Sequence, residues 1–260
     1  MNIVVCIKQV PDTTEVKIDP VTKTLIRDGV PSIINPDDKA GLEAALQIKE
    51  KTGAHVTVLT MGLPQADLAL REALAMGADK AILVTDRALG GADTWATSQT
   101  LVGALRNLDY DLVITGRQAI DGDTAQVGPQ MAEHLRLPSV TYAEEIEVDG
   151  DYLIVKRHFE DGYQRIKVKT PCLITALKEL NTPRYMTPGG IFDAYKAEVE
   201  IWGAKDLDMD PSNMGLKGSP TKVQKSFTKG AKQAGKVFEG LTPLEGAKKI
   251  VEKLQEKFII

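Results

Sequence analysis

The sequence predicts an α/β fold: a mainly parallel, Rossmann-like sheet with helices on both faces, antiparallel strands added to it, and an extended C-terminal arm that ends in a helix. Three observations predict it. Short apolar runs occur at Ile3–Ile7, Val56–Leu59, Ala81–Val84 and Leu112–Ile114, without alternation and rich in β-branched residues. Strands covered on both faces read this way. Helical stretches of about 10–15 residues lie between them, near 39–52, 65–76, 94–107 and 124–136. Strands that alternate with helices build parallel sheets. Finally, residues 217–238 carry six lysines, no acid and few large apolar groups. Such a stretch has no means of building a core and is expected to extend as an arm.

The pattern changes between about 140 and 176. Glu145–Val148 and Tyr152–Arg157 flank Asp149-Gly150-Asp151, a hairpin turn signal. Arg165–Lys169 alternates and reads as an antiparallel strand, and Pro171 precedes the apolar run Cys172–Ala176. These strands are expected to extend the same sheet, so that 1–180 form one α/β domain. Residues 181–192 combine turn formers with exposed-looking apolar groups. Residues 193–260 form the C-terminal extension. Within it Thr242-Pro243-Leu244-Glu245 is a capping box with proline at the first helical position. Leu244, Ala247, Ile250, Val251, Leu254 and Phe258 then recur at helical spacing. This apolar face needs a surface to dock on.

Composition excludes several classes. In 260 residues, 43% are hydrophobic, too many for a disordered chain. Lys plus Arg number 32 against 36 Asp plus Glu, a net charge of −4 that argues against nucleic-acid binding. Cys6 and Cys172 make no disulfide framework, and His55, His134 and His158 have no metal-ligand spacing. A reducing cytoplasm is the expected compartment. No leader and no membrane span are readable.

The richest segment is Gly116 to Gly128, with Arg117, Gln118, Ala119, Ile120, Asp121, Gly122, Asp123, Thr124, Ala125, Gln126 and Val127 between. It follows a strand and opens a helix, where free N–H groups and the helix dipole favour an anion. An ordinary strand-to-helix turn would read similarly. Asp121 and Asp123 are themselves anions, so they must point away from a phosphate or cap the helix; Asp123 and Gln126 have capping-box spacing. A second loop, Leu89 to Thr97, also joins a strand to a helix. Its small residues and the hydroxyls of Thr94 and Thr97 suit a pyrophosphate, and equally a loop with an Asp or Thr N-cap. Asn35 has the chemistry to read an adenine or ribose edge, while Asp37 or Asp38 suits a helix cap. Met61 at a strand end reads as packing or as a cofactor contact. GxGxxG, GxxxxGK[ST] and GxSxG are all missing. The chain offers a nucleotide cradle without acid, base or nucleophile, which suffices where a cofactor carries the chemistry.

Several motifs in order resemble one family. They are Val155–Ile166 followed by Pro171–Thr175, the loop Gly116–Asp121, the helix end Ala73–Asp79, and Asn181-Thr182-Pro183-Arg184-Tyr185. The chain resembles the β subunit of electron-transfer flavoprotein over nearly its whole length. The resemblance implies a heterodimer with an α subunit that carries a transferring FAD, and an arm that embraces that subunit. It implies that Tyr185, Met186, Ile191 and Phe192 dock an acyl-CoA dehydrogenase, although Pro188-Gly189-Gly190 stands where ordinary members have a Leu-Pro-Asn-type tip. Simple members hold AMP in the β site; flavin-bifurcating relatives hold a second FAD that takes a hydride from NADH. Gly90–Ser98 resembles the loop of the bifurcating members, so FAD is expected here. Positions carried over as contacts are Cys6, Asn35, Asp38, Met61, Thr94, Thr97 and Gly116 through Val127. Electrons would then divide between the dehydrogenase, through the α-subunit FAD, and ferredoxin or flavodoxin. The alternatives are a non-bifurcating carrier with AMP and a nucleotide-binding sensor of the universal-stress type.

Overall fold

The computed structural model describes residues 1–12, 31–224 and 235–260. Lys225, Phe227, Lys229 and Lys232 of the lysine-rich segment lie outside the described residues. The chain divides into two compact units, Met1–Gln224 and Lys225–Ile260.

The first unit opens with β1 (Asn2–Cys6), then a small antiparallel pair, β2 (Gln9–Pro11) and β3 (Ser32–Ile34). It continues through α1 (Pro36–Thr52), β4 (His55–Met61), α2 (Asp67–Met76), β5 (Lys80–Val84), α3 (Thr94–Leu105), β6 (Leu112–Gly116) and α4 (Val127–Leu135). Next come β7 (Ser139–Asp149), β8 (Tyr152–Phe159), β9 (Gly162–Lys169) and β10 (Cys172–Ala176). The unit ends with α5 (Pro188–Lys196), β11 (Glu200–Trp202) and the short α6 (Gly215–Gly218). One nine-stranded sheet runs in the order β11-β5-β4-β1-β6-β10-β7-β8-β9. The pairings from β11 to β7 are parallel, and β7-β8-β9 are antiparallel.

Alternation along β1 explains why its sequence is apolar throughout. Ile3 and Val5 pack on one face with Leu42, Leu46 and Leu70 of α1 and α2. Val4 and Cys6 pack on the other with Leu101, Leu105 and Met131 of α3 and α4. Each face of the strand therefore meets a helix layer, and neither alternates with water.

The sequence reading did not include β2, β3 or α6, and three further elements differ from it. β7 begins at Ser139, not near Glu145, because the register shifts between Ala143 and Glu145 and Tyr142 sits at φ 60. A bulge breaks the two-residue period there and hides the first half of the strand. β11 was not legible: its three residues gain order only as an edge beside β5. The third is α5, which occupies part of the expected loop. Thr187 caps it by accepting from Gly190 N at 3.0 Å, with Pro188 in the first turn. Gly189 and Gly190 each cost a helix about 1 kcal/mol, so the local sequence reads as a turn. Packing on α2 reverses that preference. A Cβ on Gly190 would stand 2.5 Å from the Ala75 carbonyl oxygen, and Arg71 donates to Ala194 O at 2.7 Å.

The second unit contains α7 (Pro243–Gln255). Its capping box forms as read: Thr242 N donates to Glu245 Oε2 at 2.8 Å, and Glu245 N donates to Thr242 Oγ1 at 3.4 Å. Leu244, Ile250 and Val251 are exposed. No helix among the described residues is long and apolar enough to cross a membrane.

Candidate functional site

The strand order reverses around β1: the chain moves through β4 and β5 on one side and β6 and β10 on the other. Such a switch point leaves a crevice at the carboxyl ends of the strands. Here the ends of β1, β4, β5 and β6 open into a cavity of about 1220 Å³. Its walls are the loop 117–126 with the start of α4, and the loop 87–93 with the start of α3.

Asp38, in the first turn of α1, ties the two central strands at their ends. Its Oδ2 accepts from Lys8 N at 2.8 Å and its Oδ1 from Gly116 N at 2.9 Å. Burial pushes its carboxyl up to about 7, against these two N–H donors, which favour the charged form. Neither Asp37 nor Asp38 caps α1. The N-cap is Asn35, whose side chain makes no cap bond. Instead Asn35 is fully buried and clamps the wall loop, donating to Gln118 O at 2.8 Å and accepting from Ile120 N at 3.0 Å.

The two carboxylates that would repel an anion are turned elsewhere. Asp121 pairs with Lys8 Nζ at 2.6 Å, and Asp123 accepts from Gln118 Nε2. Asp123 is not the cap of α4; that position belongs to Gln126, which makes no side-chain cap bond. Asp123 (φ 56) and Ala125 (φ 52) adopt left-handed backbone, and Gln126 returns to the right-handed region. Alternation of this kind turns successive N–H groups inward as an anion nest. Thr124 through Gly128 all line the cavity, and among the described residues their N–H groups find no acceptor. Free N–H groups at the start of α4 are what a phosphate needs.

The opposite wall begins at Asp93, the N-cap of α3, whose Oδ1 accepts from Ala96 N at 3.0 Å. Thr94 Oγ1 reaches across to Gln126 Oε1 at 2.9 Å, joining the starts of α3 and α4. Cys6 lies on the floor, and burial pushes its thiol up, so it remains protonated.

Of the residues singled out in the sequence, Cys6, Asp38, Met61, Thr94, Thr97, Gly116, Arg117, Gln118, Ala119, Gly122, Thr124, Ala125, Gln126 and Val127 line this cavity. Asn35, Ile120, Asp121 and Asp123 are not among its lining residues; they bond to or within the loop, or to Lys8. Arg117 forms an ion pair with the buried Asp37 at 3.4 Å. Sequence reasoning missed Arg87 and Thr221, which also line it. No local signal marks Thr221, since its partner Asp93 is 128 residues away.

The segment 181–195 forms a second feature. Arg184 forks onto the buried Glu43 through Nε (2.8 Å) and Nη2 (3.0 Å), and reaches Glu50 through Nη1 at 2.6 Å. These charge-assisted bonds fasten the segment to α1. They leave Tyr185, Met186, Ile191 and Phe192 exposed beside Tyr195.

Comparison with known proteins gives one family match and several full-length relatives. Residues 22–207 match the electron transfer flavoprotein domain. The chain is 62% identical over 260 residues to an electron transfer flavoprotein subunit beta of Clostridium acetobutylicum, covering all of both chains. It is 57% identical over 262 residues to the caffeyl-CoA reductase-Etf complex subunit CarD of Acetobacterium woodii, again over all of both. It is 47% identical over 269 residues to the acryloyl-CoA reductase electron transfer subunit gamma of Anaerotignum propionicum, with full coverage of each.

Proposed function

The chain belongs to the electron transfer flavoprotein family as a β subunit, and from that premise we propose that its switch-point cleft holds FAD and receives a hydride from NADH. In this reading it works as a heterodimer with an α subunit. Electrons leave in two directions, toward an acyl-CoA dehydrogenase through the α-subunit FAD and toward ferredoxin or flavodoxin. A cytoplasmic location accords with two buried, free cysteines.

One observation carries the choice of FAD over AMP. The cleft of about 1220 Å³ is bounded by the starts of two helices, α3 and α4, joined through Thr94 and Gln126. Ordinary ligand pockets span roughly 300–1,000 Å³, so there is room for a dinucleotide. The relatives named as parts of caffeyl-CoA and acryloyl-CoA reductase systems support delivery to a flavoenzyme acting on CoA thioesters.

FAD, when bound, supplies the exchange between two-electron and one-electron chemistry. The chain's own residues bind and orient. The N–H groups of Thr124 through Gly128 hold phosphate, Asp38 keeps the ends of β1 and β6 in register, and Asn35 fixes the loop between them. Cys6 stays a neutral thiol and adds no nucleophile.

The test is to produce the chain with its α partner, denature the complex and identify the released nucleotides. Two FAD per heterodimer are expected; one FAD with one AMP would overturn the NADH-linked reading. Gly122→Val isolates the loop. Gly122 lines the cavity, and a Cβ there would meet no protein atom within 4 Å. The variant should fold normally and lose β-bound nucleotide, and an unchanged nucleotide content would remove this loop from the site.

The exposed segment has its own test. Met186→Asp combined with Ile191→Asp should weaken electron delivery to the dehydrogenase at least about tenfold, since each change removes an apolar anchor from a contact. Flavin content should not change. Equal delivery by variant and parent would move the docking surface elsewhere.

A further inference from the structure

The wall opposite the phosphate nest is held from outside its own loop as well as within it. The segment from Met214 to Thr221 stitches onto it from 120 and more residues away. Leu216 N donates to Gly90 O at 2.9 Å, and Asp93 N donates to the buried Ser219 Oγ at 2.9 Å. Ser219 Oγ in turn donates to Gly215 O at 2.8 Å. Thr221 closes the seam, donating to Asp93 Oδ2 through its N–H (3.0 Å) and its hydroxyl (2.8 Å). Asp93 therefore caps α3 with one oxygen and holds Thr221 with the other.

The donor count at this edge has a chemical consequence. A threonine hydroxyl has one proton, and that of Thr221 is committed to Asp93. Toward the cavity Thr221 Oγ1 has only lone pairs to offer. Thr94 has likewise given its proton to Gln126 Oε1. Partial burial disfavours the charge on Asp93, yet the Ala96 and Thr221 donors hold it below the usual carboxylate range, so the edge also carries an anion. It repels phosphate and accepts from O–H or N–H groups. The other wall, with its unpaired N–H groups, does the opposite.

We infer that the Asp93–Thr221 pair is an acceptor edge that reads a hydroxyl or amino donor of the bound nucleotide and thereby sets its direction in the cleft. Thr221 is the specificity residue and Asp93 its positioning residue. The inference rests on the cleft being the nucleotide site. Phosphate lies on the α4 wall, and a polyol or base donor of the same ligand lies on the Asp93–Thr221 wall.

The experiment uses the whole heterodimer and measures the rate at which nucleotide leaves the β site, with thermal melting recorded alongside. Thr221→Val keeps the shape and removes the hydroxyl. It should speed release about tenfold, the worth of one hydrogen bond, while Thr221→Ser restores the parent rate. Gly122→Val serves as the reference for the cleft itself. If Gly122→Val empties the site while Thr221→Val releases nucleotide at the parent rate, the acceptor edge is refuted and the cleft stands. If Gly122→Val leaves the content unchanged, the loop 117–126 is not in the site, and the phosphate wall on which the inference rests fails with it. If Thr221→Ser is as fast as Thr221→Val, the hydroxyl is not what the ligand meets, and the inference is overturned.

Discussion

Gly116→Ala should destabilise the first unit by about 3 kcal/mol or more, the sum of an overpacked core position and a broken buried hydrogen bond. Gly116 ends β6 at the floor of the cleft, with Asp38 packed directly above it. A Cβ there would overlap Asp38 Oδ1 and come within 2.8 Å of Asp37 Cβ and of the Asp38 backbone nitrogen. Two of these three are the rigid first turn of α1, so relief requires the helix to move off the sheet. That movement would break the bond from Gly116 N to Asp38 and strand a buried carboxylate. Against a domain stability of roughly 5–15 kcal/mol, this is a large share. Urea denaturation reads the cost directly, and nucleotide content should fall in parallel. Gly122→Ala is the paired control: it meets nothing and should stay within about 0.5 kcal/mol of the parent. Equal stability of Gly116→Ala and parent would mean that α1 does not rest on β6 as described.

A chain stopped after Gln224 should keep its fold and its cleft and lose the α subunit. Both hydrophobic clusters lie within residues 3–214, so the truncated unit retains its core. What it loses is α7, whose Leu244, Ile250 and Val251 are exposed in the second unit. Covering each such side chain is worth roughly 1.5–3 kcal/mol, so affinity for the α subunit should fall by at least about a hundredfold. The cut must not fall earlier. Stopping after Lys217 would also remove Ser219 and Thr221, which hold Asp93, and would confound loss of the partner with damage to the cleft wall. Calorimetric titration with the α subunit decides the matter; undiminished binding by the 1–224 chain would place the contact within the first unit.

The sequence by itself determined the α/β class, because strands buried on both faces must be apolar throughout and their helices must separate them. It marked the loop between β6 and α4 as a cavity wall as well. Gly116, Gly122 and Gln126, singled out between a strand and a helix start, line the cleft. It also determined the capping box of α7, a signal contained in four consecutive residues.

Tertiary structure alone decided the rest, and the common reason is distance along the chain. Asn35 and Asp38 suit a ligand contact and a cap in their local sequence. Their hydrogen bonds go instead to Gln118, Ile120, Lys8 and Gly116, which only the fold brings near. Gly189 and Gly190 oppose a helix locally, and α5 forms there because a backbone without Cβ can rest against α2. The edge strand β11, the Arg184 fork on Glu43, and the Thr221 catch on Asp93 each join residues more than 100 positions apart. Periodicity and spacing report what a segment does with its neighbours in sequence. A carboxylate's choice of donor is set by which N–H groups burial leaves without water, and that is known only once the chain has closed on itself.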